Sequence, residues 1–170
     1  MNIRKANGSD AKAIVDINNI VWKNTYKNIL PESVFKEKED NREEDIKKME
    51  TYIAENKVGA LVVEDLGKVI GFATYGPTTV DKYKEAGEPY AIYVLDEYQG
   101  RGIGKELFNE VKKELIKEGY NGMVTKCLAD NPAVLFHEKM GGVLFNTTEV
   151  LFGEFPATEN FYYFENIKRN

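Results

Sequence analysis

Three glycines separated by single residues form the stretch of this sequence with the clearest chemical potential. Gly100, Gly102 and Gly104 follow an apolar run and precede apolar residues spaced three to four apart, a pattern that predicts a strand, a glycine loop and a helix. Glycine allows positive φ and a close approach of the backbone to a ligand. The loop amides and the positive end of the helix then face one point, which suits a phosphate group. A tight turn without a ligand would have the same sequence pattern.

The spacing of the glycines separates this loop from two common nucleotide-binding motifs. A P-loop carries a Lys-Ser or Lys-Thr pair after its glycines, and none follows here. Gly102 and Gly104 also lie one residue closer together than the dinucleotide fingerprint G-x-G-x-x-G requires.

The loop resembles the acetyl-CoA loop of the GNAT acyltransferases, Q/R-x-x-G-x-G/A. Residues 99–104 (Gln-Gly-Arg-Gly-Ile-Gly) fit every fixed position. Residues 131–133 (Asn-Pro-Ala) and 136–142 (Phe-His-Glu-Lys-Met-Gly-Gly) resemble the family's later block N-x-x-A…F-Y-E-K-x-G-F. The blocks lie about 30 residues apart, as one helix and one strand require. The resemblance extends over most of the chain and implies transfer of an acetyl group from acetyl-CoA to an amine.

The resemblance also implies which residues bind acetyl-CoA. The loop amides would hold the pyrophosphate, and the strand before the loop would pair with the pantetheine and polarise the thioester carbonyl. Arg101 adds charge there or only faces solvent, and Asn131 contacts the pantetheine or caps the next helix. The predicted cofactor-binding residues are Ile92, Tyr93, Val94, Gln99, Gly100, Arg101, Gly102, Ile103, Gly104, Lys105 and Asn131.

Two ionisable residues are candidates for proton transfer. Glu88 lies upstream on the loop strand, where similar sequences also carry Glu. It could take the amine proton directly or through water, attract a cationic acceptor, or be an exposed strand-end carboxylate. His137, the only histidine, stands where the family usually has a tyrosine. Its imidazolium could protonate the departing thiolate, because its pKa lies nearer neutrality than that of a phenol. Alternatively, it only contacts CoA from a partly exposed helix.

Two aromatic residues are candidates for the acceptor site. The spacing of Trp22 and Tyr26, followed by Leu30 and Pro31, resembles a bacterial branch of the family that includes amine and polyamine acetylators. Both rings would line an acceptor pocket or pack in the core. The expected acceptor is the primary amine of a small molecule, such as a polyamine or an amino-acid-like compound. A protein N-terminus or lysine is the alternative acceptor, and a non-catalytic acyl-CoA sensor on the same fold is the alternative function.

Composition limits the class of protein. The chain has 170 residues, of which 42% are hydrophobic and 30% charged, which predicts one globular domain over residues 1–170. A net charge of −5 argues against nucleic acid as a partner and mildly favours a cationic substrate. No membrane span and no signal peptide are expected, and the lone Cys127 allows no internal disulfide or Cys-rich metal site. We therefore expect a cytoplasmic protein without a metal, and a homodimer is left open.

The order of elements predicts an α+β fold. The expected sheet is mixed and mostly antiparallel, with about seven strands, helices on both faces and, from the resemblance, a splayed parallel strand pair. The first helix is expected to follow a cap at Asn7 and to end near Trp22. Aromatic-rich strands are expected at residues 143–155 and 161–167, joined through residues 156–160.

Overall fold

Within residues 1–168, which the computed structural model describes, seven strands form one open sheet. The strands are β1 (Asn2–Lys5), β2 (Gly59–Asp65), β3 (Lys68–Pro77), β4 (Ala86–Val94), β5 (Gly122–Leu128), β6 (Val143–Phe152) and β7 (Phe155–Phe164). Their spatial order is β1-β2-β3-β4-β5-β7-β6. Neighbouring strands are antiparallel except for β4 and β5, which are parallel. The predicted fold class is confirmed.

Helices cover both faces of this sheet. They are α1 (Ala11–Tyr26), α2 (Glu32–Asp40), α3 (Arg42–Ala54), α4 (Ile103–Lys117) and α5 (Val134–Lys139). On one face α4 packs its buried Leu107 and Val111 against Ile70 and Tyr162 of the sheet. On the opposite face α1 packs against Val62, Phe72 and their neighbours. No helix within residues 1–168 is long and apolar enough to cross a membrane.

The first helix begins as predicted but ends one turn later than expected. The side-chain oxygen of Asn7 accepts a hydrogen bond from the Ser9 amide, and the Asp10 carboxylate accepts one from the Asn7 amide, both at 2.9 Å. A short 3₁₀ turn (Gly8–Asp10) then leads into α1. The predicted end near Trp22 is wrong, because the buried side chain of Tyr26 continues the apolar face of the helix.

The C-terminal strands form a tighter hairpin than predicted. The chain turns at residues 153–154, where Gly153 has a φ of 62°, and β7 begins at Phe155. Pro156 therefore lies inside β7, opposite Leu151 of β6, whereas β5 pairs with β7 only from Glu159 onward. A proline is tolerated at a position where its strand has a partner on one side only. The predicted connection through residues 156–160 is wrong for this reason.

The parallel pair β4–β5 separates almost as soon as it begins. Within the described residues the two strands pair only at Ala86 with Gly122 and at Gly87 with Met123. On its other side β4 continues to pair with β3 as far as Val94, with a register shift opposite Thr74 and Tyr75. Pro89 lies at this shift, where β4 has a partner strand on one side only, and proline is accommodated at bulges and at such positions. The splayed pair positions the site described next.

Candidate active site

The separation of β4 and β5 opens a cleft of about 850 Å³. Residues 89–94 form one wall, and residues 125–127 of β5 form the other. The glycine loop and the first turn of α4 lie at one end, and residues 24–26 of α1 and residues 131–137 complete the lining. The two sequence blocks that carry the family resemblance therefore meet at a single site.

The glycine loop presents the start of α4 to this cleft. Gly100 and Gly102 have φ values of 73° and 84°, in the left-handed region that favours glycine. The first intrahelical bond runs from the Glu106 amide to the Gly102 carbonyl at 3.1 Å, and no side chain caps the helix. The amides of residues 103–105 thus have no partner inside the helix. A Cβ atom added to Gly104 would meet no heavy atom within 4 Å, so an anion has room at this positive helix end.

Gln99 and Arg101 hold the loop in place and differ in their relation to the cleft. The Gln99 side-chain amide lines the cleft and donates to the Val94 carbonyl at 2.8 Å. Arg101 does not line it. The exposed Arg101 guanidinium donates to the Glu97 carbonyl at 2.8 Å and lies 5.3 Å from the centre of the Tyr98 ring. The loop around Arg101 is therefore braced by its neighbours, and this side chain is outside the predicted cofactor surface.

The backbone of β4 is available along the cleft. Ile92, Tyr93 and Val94 all line it, and beyond Gly87 this edge of β4 has no partner from β5. Unpaired amides and carbonyls of a strand can bind an extended ligand as an added strand would. The structure thus brings together the predicted strand residues, the loop glycines, Ile103 and Lys105.

Asn131 connects the two ends of the cleft. Its side-chain oxygen accepts a hydrogen bond from the Ala133 amide at 2.8 Å, and this bond orders the turn before α5, whose cap position is Ala133 itself. Its side-chain nitrogen donates to the Tyr26 hydroxyl at 2.5 Å. Both residues line the cleft, and this bond fixes the position of the Tyr26 hydroxyl.

Trp22 lies behind the cleft wall and does not line the cleft itself, so its place in an acceptor pocket stays a prediction. Its indole N–H donates to the Tyr93 hydroxyl at 2.8 Å, and its ring meets the edge of Phe152 at 5.4 Å. The ammonium of Lys38 lies 4.4 Å from the ring centre. A tryptophan N–H needs a partner when it is partly buried, and this bond turns the ring toward the space behind the wall. Trp22 therefore supports the pocket from outside.

Glu88 is buried rather than exposed at a strand end. Only 4% of the residue is exposed, and it is absent from the cleft lining. One carboxylate oxygen accepts from the Lys126 ammonium at 2.8 Å, and the other accepts from the Thr78 hydroxyl at 2.7 Å. Lys126 itself lines the cleft, so Glu88 contacts a residue of the site although it does not line the cleft.

His137 lines the cleft in a neutral form. Its Nδ1 atom lies 2.9 Å from the Thr125 hydroxyl, and its ring stacks on Tyr162 with centroids 5.3 Å apart. Burial lowers the pKa of His137 from 6.5 to about 4, because a charged ring in this environment would lose its hydration. This lowered pKa disfavours the imidazolium that the predicted acid role of His137 requires.

The functional residues that sequence reasoning missed lie mainly on β5. Thr125, Lys126 and Cys127 line the cleft because β5 diverges from β4 there. Lys126 is the one charged residue of β5. A single charge in an otherwise uncharged strand was the feature of the sequence that could have pointed to this residue. Burial raises the pKa of the Cys127 thiol to about 11, so this thiol is unreactive near pH 7. Within residues 1–168, no group of three His, Cys, Asp or Glu side chains could hold a metal ion.

Comparison with known proteins identifies the family. Residues 16–142 match the Acetyltransferase (GNAT) family. The chain belongs to this family. The uncharacterized N-acetyltransferase YuaI of Bacillus subtilis is 30% identical over 144 residues, which are 81% of this chain and 78% of that protein. The L-amino acid N-acyltransferase MnaT of Escherichia coli is 31% identical over 86 residues, 49% of each chain.

Solved structures of GNAT enzymes share the fold. An N-acetyltransferase from Staphylococcus aureus Mu50 is 27% identical, with a TM-score of 0.73 over 96% of this chain and 97% of that one. The PaiA N-acetyltransferase of Thermoplasma acidophilum, solved with coenzyme A, has a TM-score of 0.75 at 21% identity over 93% of this chain and 96% of that one. The protein is thus an acetyl-CoA-dependent N-acetyltransferase, and its loop amides and unpaired β4 edge fit a phosphate-bearing, extended co-substrate.

We expect replacement of Gly102 by valine to weaken acetyl-CoA binding by this GNAT enzyme. A valine at a φ of 84° strains the loop and places side-chain atoms beside the start of α4. Gly119, with a φ of 100° at the other end of α4, provides the matched variant. Isothermal titration calorimetry should give a raised Kd for Gly102→Val and an unchanged Kd for Gly119→Val, although both lose stability. Equal affinity in the two variants would contradict the loop assignment.

We expect His137 to make the stability of this GNAT enzyme depend on pH between about 6.5 and 4. The pKa of His137 is lower in the folded protein, so the unfolded chain binds more protons in this window. The contribution is complete above pH 6.5 and is lost as the pH falls toward 4. Denaturant unfolding at a series of pH values should show this loss in the parent and a smaller loss in His137→Tyr. Parallel pH profiles would show that His137 is not kept neutral by the fold.

Proposed function

We propose that this N-acetyltransferase transfers the acetyl group to the primary amine of a small molecule, of polyamine or amino-acid type. The observation that carries the proposal is the contact between the segment after α1 and the β6–β7 hairpin, which we take to close the acceptor end of the cleft. Tyr26 and Leu30 pack in one apolar cluster with Val150 and Phe152 of the β6–β7 hairpin. The segment between α1 and α2 therefore meets the hairpin across the sheet face.

This closure favours a compact acceptor over a polypeptide. A protein substrate needs an open groove that accepts chain on both sides of the reacting amine. Here Trp22 meets Phe152 ring to edge, which joins α1 to the β6–β7 hairpin. The net charge of −5 also favours a cationic amine.

We assign cofactor binding to the loop and the β4 edge. The amides of residues 103–105 and the end of α4 would hold the pyrophosphate, and residues 92–94 would pair with the pantetheine. An amide of this strand would also polarise the thioester carbonyl. When bound, acetyl-CoA supplies the activated acetyl group, and the protein supplies position and proton transfer.

We retain Glu88 as the base that receives the amine proton. Its carboxylate already accepts a hydrogen bond from an ammonium, that of Lys126, at 2.8 Å. Thr78 orients the second oxygen, so the carboxylate has a defined direction. An acceptor amine would reach Glu88 by displacing the Lys126 ammonium or through water.

We propose Tyr26, in place of His137, as the group that protonates the thiolate. His137 is neutral near pH 7 because its pKa is lowered to about 4. Burial raises the pKa of the Tyr26 phenol above its usual value of 10, so the hydroxyl keeps its proton. Because that oxygen accepts from Asn131, its own hydrogen remains available to donate.

Replacing Tyr26 by phenylalanine should lower kcat about 100-fold, the lower end of general acid catalysis, and should change acetyl-CoA affinity little. Trp22→Phe is the matched control, because it removes a nearby donor outside the cleft and should leave most of kcat. Steady-state kinetics on each variant provides the measurement. A fully active Tyr26→Phe enzyme combined with a slow His137→Ala enzyme would return the acid role to His137.

A thiol-release assay with a panel of amines tests the acceptor class. The panel holds polyamines, amino acids and peptides with free N-termini or lysines, each supplied with acetyl-CoA. We expect turnover on a small amine and little on peptides. Turnover on peptides alone would replace the proposed acceptor by a protein. Acetyl-CoA binding without turnover on any amine would favour a non-catalytic sensor. A homodimer and a cytoplasmic location stay predictions from the sequence.

A further inference from the structure

Lys126 brings a primary ammonium of the protein itself into the active-site cleft. It lies on β5 between the buried residues Thr125 and Cys127, and its side chain is only 22% exposed. The cleft lining includes Lys126 together with the unpaired edge of β4 and the glycine loop. Lys126 is therefore on the surface that would face bound acetyl-CoA.

The surroundings of this ammonium are those that recognise a primary amine. The Nζ atom donates to the Glu88 carboxylate at 2.8 Å and to the Thr79 hydroxyl at 2.9 Å. It lies 5.7 Å from the centre of the Phe161 ring, within the distance at which an aromatic face attracts a cation. The Lys126 ammonium thus contacts a carboxylate, a hydroxyl and an aromatic ring. These are the groups that would bind a cationic acceptor.

Lys126 and Glu88 also form a nucleophile–base pair. The Lys126 Nζ atom lies 2.8 Å from a Glu88 carboxylate oxygen. A general base and the atom that loses the proton are typically about 2.6–3.2 Å apart. The Thr78 hydroxyl holds the other Glu88 oxygen at 2.7 Å, so the base is oriented by a third group. Lys12 and Asp16 form a similar pair at 2.7 Å on α1, but the Lys12 side chain is 68% exposed and lies outside the cleft. The Lys12–Asp16 pair therefore serves as an internal control for the Lys126–Glu88 pair.

We propose that this enzyme acetylates its own Lys126. The inference rests on the cofactor position given under the proposed function. Glu88 takes one proton from the ammonium, and the freed Nζ attacks the thioester carbonyl. The Nζ–C bond forms as the C–S bond breaks. Of the three ammonium hydrogens, one stays on the amide, one completes the CoA thiol and one leaves through Glu88 to solvent.

Acetylation changes the charge of the site. It removes the positive charge of Lys126 and with it the ion pair to Glu88. The nearby Glu159 carboxylate, whose pKa Lys126 lowers against a larger rise from burial, loses the same counter-charge. Acetylation would thus leave both carboxylates without this positive charge.

Peptide mass spectrometry of the full chain during incubation with acetyl-CoA, with no amine added, tests this inference. The state of Lys126 before incubation provides the baseline. We expect Lys126 to gain an acetyl group at least about 100-fold faster than Lys12, as general base catalysis would give. Glu88→Gln should reduce the rate at Lys126 by a similar factor, whereas Asp16→Asn should leave the rate at Lys12 unchanged. If Glu88→Gln does not fold, Thr78→Val, which frees the second Glu88 oxygen, should slow the reaction at Lys126.

Equal rates at Lys126 and Lys12, or a rate at Lys126 that no variant changes, would overturn the proposal as background chemical acetylation. The same samples are assayed for acetyl-CoA binding by calorimetry and for turnover on the amine panel. Turnover on an amine with unmodified Lys126 would leave the proposed function standing and overturn self-acetylation. Acetylated Lys126 without amine turnover would support self-acetylation and overturn the proposed acceptor class. Lys126→Arg should lose the modification while keeping the charge.

Discussion

The early separation of β4 and β5 is the constraint on which the rest of the site depends. Two residue pairs join the strands, and beyond them each strand has a partner on one side only. A buried sheet normally satisfies its amides and carbonyls with neighbouring strands. Here the missing partner is left to a ligand, and the helix start, the loop and residues 131–137 gather around the gap. If β4 and β5 were paired along their full length, no cleft would remain between them for an extended co-substrate.

The polar groups at this gap are held by costly arrangements. Glu88 is almost fully buried, and its charge is tolerated because Lys126 and Thr78 bind its two oxygens. Removing one partner from a buried ion pair typically destabilises a protein by about 3–5 kcal/mol. His137 differs from Glu88, because within residues 1–168 no charged partner offsets its burial. Its pKa therefore falls to about 4. Glu88 thus has the Lys126 ammonium as a partner at 2.8 Å, whereas burial is the cause of the lowered pKa of His137.

Sequence patterns predicted the elements that depend on local chemistry. The loop glycines and the cap at Asn7 each follow from the conformation of a few adjacent residues. The family resemblance added the cofactor and brought Asn131 to the site. The predictions failed where contacts between residues far apart in the sequence determine the structure. Such contacts also place Trp22 behind the cleft wall, because Tyr93, on another element, accepts its N–H.

Lys126 and His137 show the same limit for charges. The importance of Lys126 depends on Glu88, 38 residues earlier in the chain, and on where two strands part. His137 was placed at the site correctly, but its protonation depends on burial against Tyr162 and Thr125, which spacing along one helix does not encode. The C-terminal hairpin was misjudged because Pro156 was taken as a break, although β7 has only one partner strand at that point.

The bond between Asn131 and Tyr26 has a consequence for how two ligands share the cleft. One residue belongs to the block predicted to border the cofactor, the other to the helix proposed to border the acceptor, and the two side chains meet at 2.5 Å. Any ligand that shifts one of them changes the free energy of the other. Thermodynamic linkage makes that influence reciprocal, so the factor by which co-substrate alters acceptor affinity equals the factor in the reverse direction. The mutual affinity of the two ligands would then depend in part on this hydrogen bond.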